Sequence, residues 1–144
     1  MSRPSPLSRR MTFGLSLCGG CLLWTAFPPL NWSFMAWFAP MLWMPLLSAD
    51  RFVFSTSPRR LKRILENPYT QMWLAHVIYW MIMLQGLRLA HWTTHFGWLA
   101  IGLYLGIYLP CFVFVGRCCR HRLRMPVALA AAISWITFEW LRGY

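Results

Sequence analysis

The chain has 144 residues, 58% of them hydrophobic and 12% charged, with 14 Lys and Arg against 3 Asp and Glu and a net charge of +11; this is far from the make-up of a soluble globular domain. The basic residues stand in short blocks between long apolar runs, with no aromatic interleaving and no recognition-helix signature, so nucleic acid is excluded as a partner and membrane topology is the better account of the charge. Cys18, Cys21, Cys111, Cys118 and Cys119 are odd in number and three fall inside apolar runs, so no disulfide framework is expected.

Because lipid offers the backbone no hydrogen-bond partners, a membrane-crossing helix needs about 20 mostly apolar residues. Residues 1–10 read as a cytoplasmic basic N-terminus, and residues 11–144 as an all-α, polytopic transmembrane domain of about five helices. The first span covers about 11–27. It follows Arg3, Arg9 and Arg10 as a secretory signal would, but no small-x-small cleavage site precedes Phe27-Pro28-Pro29, so it is read as uncleaved. The second, about 30–47, contains Pro40 and Pro45 and is expected to be kinked. The third covers about 71–89, the fourth 96–115 and the fifth 125–141.

With the N-terminus in the cytoplasm, twelve of the fourteen basic residues fall on the inner side and only Arg88 and Arg142 on the outer, as the positive-inside rule requires. Removing or adding one span would scramble that split. Within the inner loop from Ser48 to Pro68, the stretch Arg59-Arg60-Leu61-Lys62-Arg63-Ile64-Leu65-Glu66 has the pattern of a short basic amphipathic helix, but a solvated topology-setting loop is the preferred reading because the positive-inside pattern already explains its charges.

Candidate chemistry is sparse. Cys18-Gly19-Gly20-Cys21 has the spacing of redox and zinc sites but lies mid-span with no second ligand pair, so small residues packing a helix interface are the better explanation. Cys118-Cys119 with His121 sits among arginines that would repel a metal cation, and no role is assigned to it. His91 and His95 are four apart but lack a third ligand; beside Trp92 and Trp98 they read as an outer interfacial belt. Gly102 and Gly106, with Gly97 and Gly116 nearby, predict close helix packing. Gln71, His76 and Gln85 in the third span are expected to turn toward the bundle or a hydrated groove. Glu139, the one acidic residue in an apolar run, has Arg142 three residues on, which makes it either a functional candidate or half of a mutually neutralising pair.

Phe27-Pro28-Pro29-Leu30-Asn31, Ala36-Trp37-Phe38-Ala39 and Pro45-Leu46-Leu47, followed by Ile133-Ser134-Trp135-Ile136-Thr137-Phe138-Glu139-Trp140-Leu141-Arg142-Gly143-Tyr144, stand in an order and spacing that resembles the bacterial apolipoprotein N-acyltransferases over nearly the whole chain. The resemblance implies an inner-membrane, multi-pass location in the phospholipid bilayer. It also implies a reaction that moves an acyl chain from a phospholipid to the α-amino group of a lipoprotein's N-terminal diacylglyceryl-cysteine. In the family this chemistry uses a cysteine, a glutamate and a lysine of a nitrilase-like domain outside the membrane.

Such a triad must meet within hydrogen-bonding reach. Here the lone Lys62 and Glu66 are on the inner side, Glu139 is near the outer end of the fifth span, and no cysteine lies in an outer loop. No catalytic, cofactor-binding or metal-binding residue is therefore assigned. The expectation is an N-terminal membrane portion, truncated or split, inactive alone, with lipoprotein substrates and a separately encoded catalytic half as partners. Trp32, Trp37, Trp43, Trp92 and Trp98 would hold its bundle in register at the interfaces. The alternative is an unrelated multi-span scaffold or transporter subunit that docks partners through Gly102 and Gly106.

Overall fold

A computed structural model describes residues 7–143 except Asp50 and Ala90, without the side chain of Arg142. The described residues form an all-helical bundle, joined at one end by an isolated parallel bridge between Leu7 and Phe52.

Helix α1 (Arg9–Thr25) starts two residues before the expected bound because the Ser8 hydroxyl accepts the Met11 N–H at 3.3 Å, a cap that satisfies one of the orphan donors of a first turn. It stops ahead of the cis Pro28-Pro29 pair. The chain then reverses through Asn31 at φ 54°, a left-handed conformation that asparagine tolerates, and a Trp32 N–H bond to the Thr25 carbonyl at 3.0 Å closes the turn. This turn consumes residues expected to open the second span, so α2 runs only from Met35 to Ser48, with Pro40 and Pro45 inside it.

Helix α3 (Arg60–Leu65) forms in the stretch read in preference as a solvated loop, a correction in favour of its amphipathic pattern. Helix α4 (Pro68–Met83) begins where Asn67 caps Tyr69 N–H at 3.0 Å and Pro68 occupies the first helical position, the place where a missing N–H costs nothing. It ends at Met83, and Gln85–Leu89 forms a 3₁₀ turn. The expected fourth span is two pieces, α5 (Thr94–Gly106) and α6 (Tyr108–Arg122), interrupted at Ile107; Pro110 has no N–H to reach the Gly106 carbonyl four residues back. Taken across that break, Thr94–Arg122 is 29 residues and is the one described helix long and apolar enough to cross a membrane; Met35–Ser48 and Val127–Leu141 are apolar but shorter. Helix α7 (Val127–Gly143) follows a turn with Arg124 at φ 54°.

Helix α2 packs on α1, α6 and α7, while α4 packs on α1, α5 and α6. Trp43 of α2 occupies the junction, 1% exposed. Its ring is stacked on Trp135 at 5.9 Å and edge-on to His76 at 5.7 Å and Phe112 at 6.2 Å, arrangements that add to the burial of so large a side chain. Trp43 is therefore a core residue and not part of an interfacial belt, a correction to the sequence expectation; Trp32, Trp37 and Trp92 are exposed.

The helices approach this closely because glycines face the aromatic rings. A Cβ on Gly19 would run into the Trp43 indole, with Cε2 only 2.7 Å away, and one on Gly20 would lie 3.2 Å from Tyr79 Cβ. Cys18 and Cys21 of the same stretch point outward. Gly102 meets the Met81 side chain, and Gly106 meets Val77 and Trp73, so the Gly102–Gly106 face is filled by α4 of the same chain and does not serve as an open docking surface. The buried hydroxyls of Ser16 and Ser134 return to carbonyls four residues earlier, at 2.8 and 2.7 Å, which leaves no unsatisfied polar group at those contacts.

The end of the bundle that gathers the basic blocks is tied by specific polar contacts. Arg117 of α6 donates to the carbonyls of Leu46 and Ala49 at the end of α2 and lies 4.3 Å over the Phe52 ring, while Arg120 reaches the Ser48 hydroxyl at 3.3 Å. A cation at a helix C-terminus answers the unpaired carbonyls and the negative end of the dipole. Glu66 accepts from Ser55 and pairs with Arg9 at 2.7 Å, so the 48–68 loop is folded against the base of α1.

Gly19→Ala should destabilise the protein by about 1–3 kcal/mol, since Trp43 is boxed by other rings and overpacking costs that much. Gly14→Ala, which meets nothing within 4 Å, should be neutral or up to about 1 kcal/mol stabilising by helix propensity; thermal unfolding of the purified protein in detergent compares the two.

The Ser55 hydrogen bond, with the charges of Arg9 and Lys62, holds the Glu66 carboxyl below its ordinary value of 4.5. Its contribution to stability is thus complete above that value and disappears as pH falls through the lower, folded one. The gap in melting temperature between wild type and Glu66→Gln should accordingly be constant near neutrality and close on acidification.

Candidate functional site

Between α1, α2, α4, α5, α6 and α7 the packing leaves a cavity of about 170 Å³. Its wall is aromatic, with Trp43, Tyr79, Trp80, Tyr108, Phe112 and Trp135 among its residues; the aliphatic contributions are Leu23, Leu105 and Leu109. The cavity exists because large rings at this level are held apart by their edge-on contacts. His76 is 5.2 Å from Tyr79 and 6.2 Å from Trp80 between centroids, the latter at 87°. Phe112 stands at 85° to Trp135. Planar groups crossed in this way cannot fill space as flexible aliphatic chains do.

Three lining residues carry a buried ring nitrogen with no hydrogen-bond partner: Nε1 of Trp43, Nδ1 of His76 and Nε1 of Trp80. Buried polar atoms are almost always paired, so such orphans are uncommon and mark a place where something else supplies the partner. The Trp43 nitrogen turns toward Gly19 of α1. His76 and Trp80, by contrast, are four residues apart on one face of α4. His76 is buried, as the sequence led one to expect of a polar residue in this segment; Gln71 keeps one unpartnered buried oxygen, and Gln85 stands exposed in the 3₁₀ turn beyond the helix.

Glu139 of α7 lines the cavity and is also an exposed residue, which places it at the mouth. The expected pair with Arg142 lies outside the described residues. Phe138 lines both the cavity and an apolar groove on the outside of the bundle, where Tyr69, Trp73, Cys111 and Phe114 flank the break at Ile107.

The other candidates are not brought together. His91 bonds to Thr93 at 2.9 Å and His95 to the Trp92 carbonyl at 2.9 Å, and among the described residues no group of three His, Cys, Asp or Glu could hold a metal ion. Lys62 and Glu66 lie near the base of α1 in the 48–68 segment, 4.0 Å apart, away from Glu139 at the far end of α7. Sequence reasoning missed the ring set around the cavity. The available signal was the four-residue spacing of His76 and Trp80 opposite Gly19-Gly20, but its meaning depended on knowing that Trp43 faces inward.

Comparison with known proteins bears on this architecture. Residues 19–144 match the family described as apolipoprotein N-acyltransferase N-terminal domain. An apolipoprotein N-acyltransferase of Rhodopirellula baltica is 31% identical over 133 residues, covering 85% of this chain. The chain spans about a fifth of the length of that curated relative, 21%. No solved structure matches. The family match includes every residue that lines the cavity, and the chain belongs to the apolipoprotein N-acyltransferase family, of which it carries the N-terminal domain.

Proposed function

We propose that this chain is the membrane domain of an N-acyltransferase, crossing the bacterial inner membrane five times with its N-terminus in the cytoplasm, and that it guides lipid to a catalytic domain lying outside these 144 residues. The reaction served is transfer of an acyl chain from a phospholipid to the α-amine of a diacylglyceryl-cysteine lipoprotein. The observation that carries the reading is the family match along 19–144, and the topology draws support from two features of the bundle.

First, the start of α1, the end of α2, the start of α4 and the end of α6 meet at one end. They are tied there by Arg9 with Glu66 and by Arg117 and Arg120 with the end of α2, so the basic blocks share one face as an inner side requires. Second, the outward surface is apolar to a degree that water does not tolerate: Trp37 is 80% exposed, and Phe96, Ile136 and Trp140 are exposed as well.

No acyl transfer is expected from these residues by themselves, because activating a thiol needs a base and a cation within hydrogen-bonding reach of it. The outer groove beside Ile107 and the cavity behind Phe138 offer apolar surface on either side of one ring, and this is the route assigned to lateral lipid entry.

Co-expression with the catalytic portion of a family member, in cells depleted of their own enzyme, should restore lipoprotein N-acylation read by mass spectrometry. Either piece alone should not. Full activity of the catalytic portion without this chain would remove the guiding role. Separately, in a cysteine-free background, Thr93→Cys should react with an impermeant maleimide in intact spheroplasts and Ser57→Cys only after permeabilisation; the reverse order would overturn the orientation.

A further inference from the structure

We infer that the cavity behind Phe138 is a binding site for the ester end of an acyl chain, with Trp80 and His76 addressing the ester carbonyl and the ring-lined wall holding the first methylenes. The inference rests on the membrane-domain reading and deepens it by naming the chemical group the interior takes.

Four observations lead there. The indole N–H of Trp80 can only donate, so its missing partner is an acceptor. His76 Nδ1, also without a partner, is one helical turn away on the same face, with ring centroids 6.2 Å apart; in the tautomer that carries its proton on Nδ1 it is a donor too, so a single acceptor group between the two rings can address both. The remaining wall is almost entirely aromatic and aliphatic, which suits hydrocarbon next to that acceptor. Among the described residues no lysine or arginine lines the cavity, so a carboxylate or phosphate inside would be a buried charge without a cation, whereas an ester carbonyl is neutral.

Size sets a limit on how much enters. A cavity of about 170 Å³ compares with the roughly 150 Å³ that holds one benzene ring, so a segment on the order of six carbons fits and the rest of the lipid extends through the mouth. Two lipids bring such an ester to the site, a membrane phospholipid and the diacylglyceryl group of a lipoprotein.

The test is photo-crosslinking of the full chain in lipid nanodiscs, using a phospholipid whose acyl chain carries a diazirine a few carbons from the ester, with adducts mapped by peptide mass spectrometry. Adducts are expected on the α4 and α7 peptides that contain Trp80 and Trp135, besides those on outward faces. Trp80→Phe, which keeps the ring and removes the donor, should reduce the cavity adducts at least fivefold relative to outward ones. Leu105→Trp, which fills the cavity without touching either donor, should abolish them.

Competition by a synthetic diacylglyceryl-cysteine peptide would assign the site to the lipoprotein, and its failure to compete would assign it to the phospholipid. The inference is overturned if adducts form only on outward faces, as they would around a cavity holding water alone, if Trp80→Phe labels like wild type, or if the free diazirine fatty acid is captured as well as the ester. Absence of labelling anywhere would instead defeat the membrane-domain reading beneath it.

Discussion

The arrangement depends on one contact, the seating of the Trp43 indole against Gly19. Removing a side chain from α1 at that level lets α2 bring a bulky ring into the middle of the bundle, and the ring in turn gives α4, α6 and α7 a common surface through His76, Phe112 and Trp135. Under the proposed membrane placement, apolar burial would not by itself drive these helices together, and van der Waals fit between small and large residues would have to do so. Gly20 on Tyr79, Gly106 on Val77 and Gly116 on Leu47 repeat the device at other crossings.

That device also explains why the core contains both tight contacts and a hole. Rings that meet edge to face hold each other at centroid separations of 5.7–6.2 Å and cannot slide to close a gap as leucines can. The result is a rigid aromatic frame around an internal space, with ring nitrogens stranded in its wall. The buried serine hydroxyls are satisfied locally, and of the four buried polar side-chain atoms left without a partner among the described residues, three belong to residues that line the cavity and one to Gln71.

Much of the helical architecture was legible because the signals are local. Apolar runs placed the first and last helices to within two residues at each end, with larger misses between them, and the family motifs at Phe27-Pro28-Pro29 and Glu139-Trp140-Leu141-Arg142-Gly143 carry the assignment that the comparisons support. Three features were not legible. The length of α2 was overestimated because the turn through Asn31 uses residues whose hydropathy matches that of a span. The fourth segment was read as one helix because the effect of Pro110 depends on how the freed Gly106 carbonyl is accommodated. Trp43 was assigned to an interface because a tryptophan near a helix end has the same composition whether it faces lipid or neighbours; only the opposing glycine on a different helix distinguishes them.

The shortness of α2 has a mechanical consequence. Fourteen residues rise about 21 Å, against a hydrocarbon layer of about 30 Å. In the proposed five-span topology that difference would be absorbed by thinning of the surrounding lipid or by drawing the flanking turn below headgroup level. Either response lowers the local distance between the outer surface and the bundle interior. Lipid beside α2 would then be held in a compressed, less ordered state, from which an acyl chain can bend inward at smaller elastic cost than from an undisturbed leaflet.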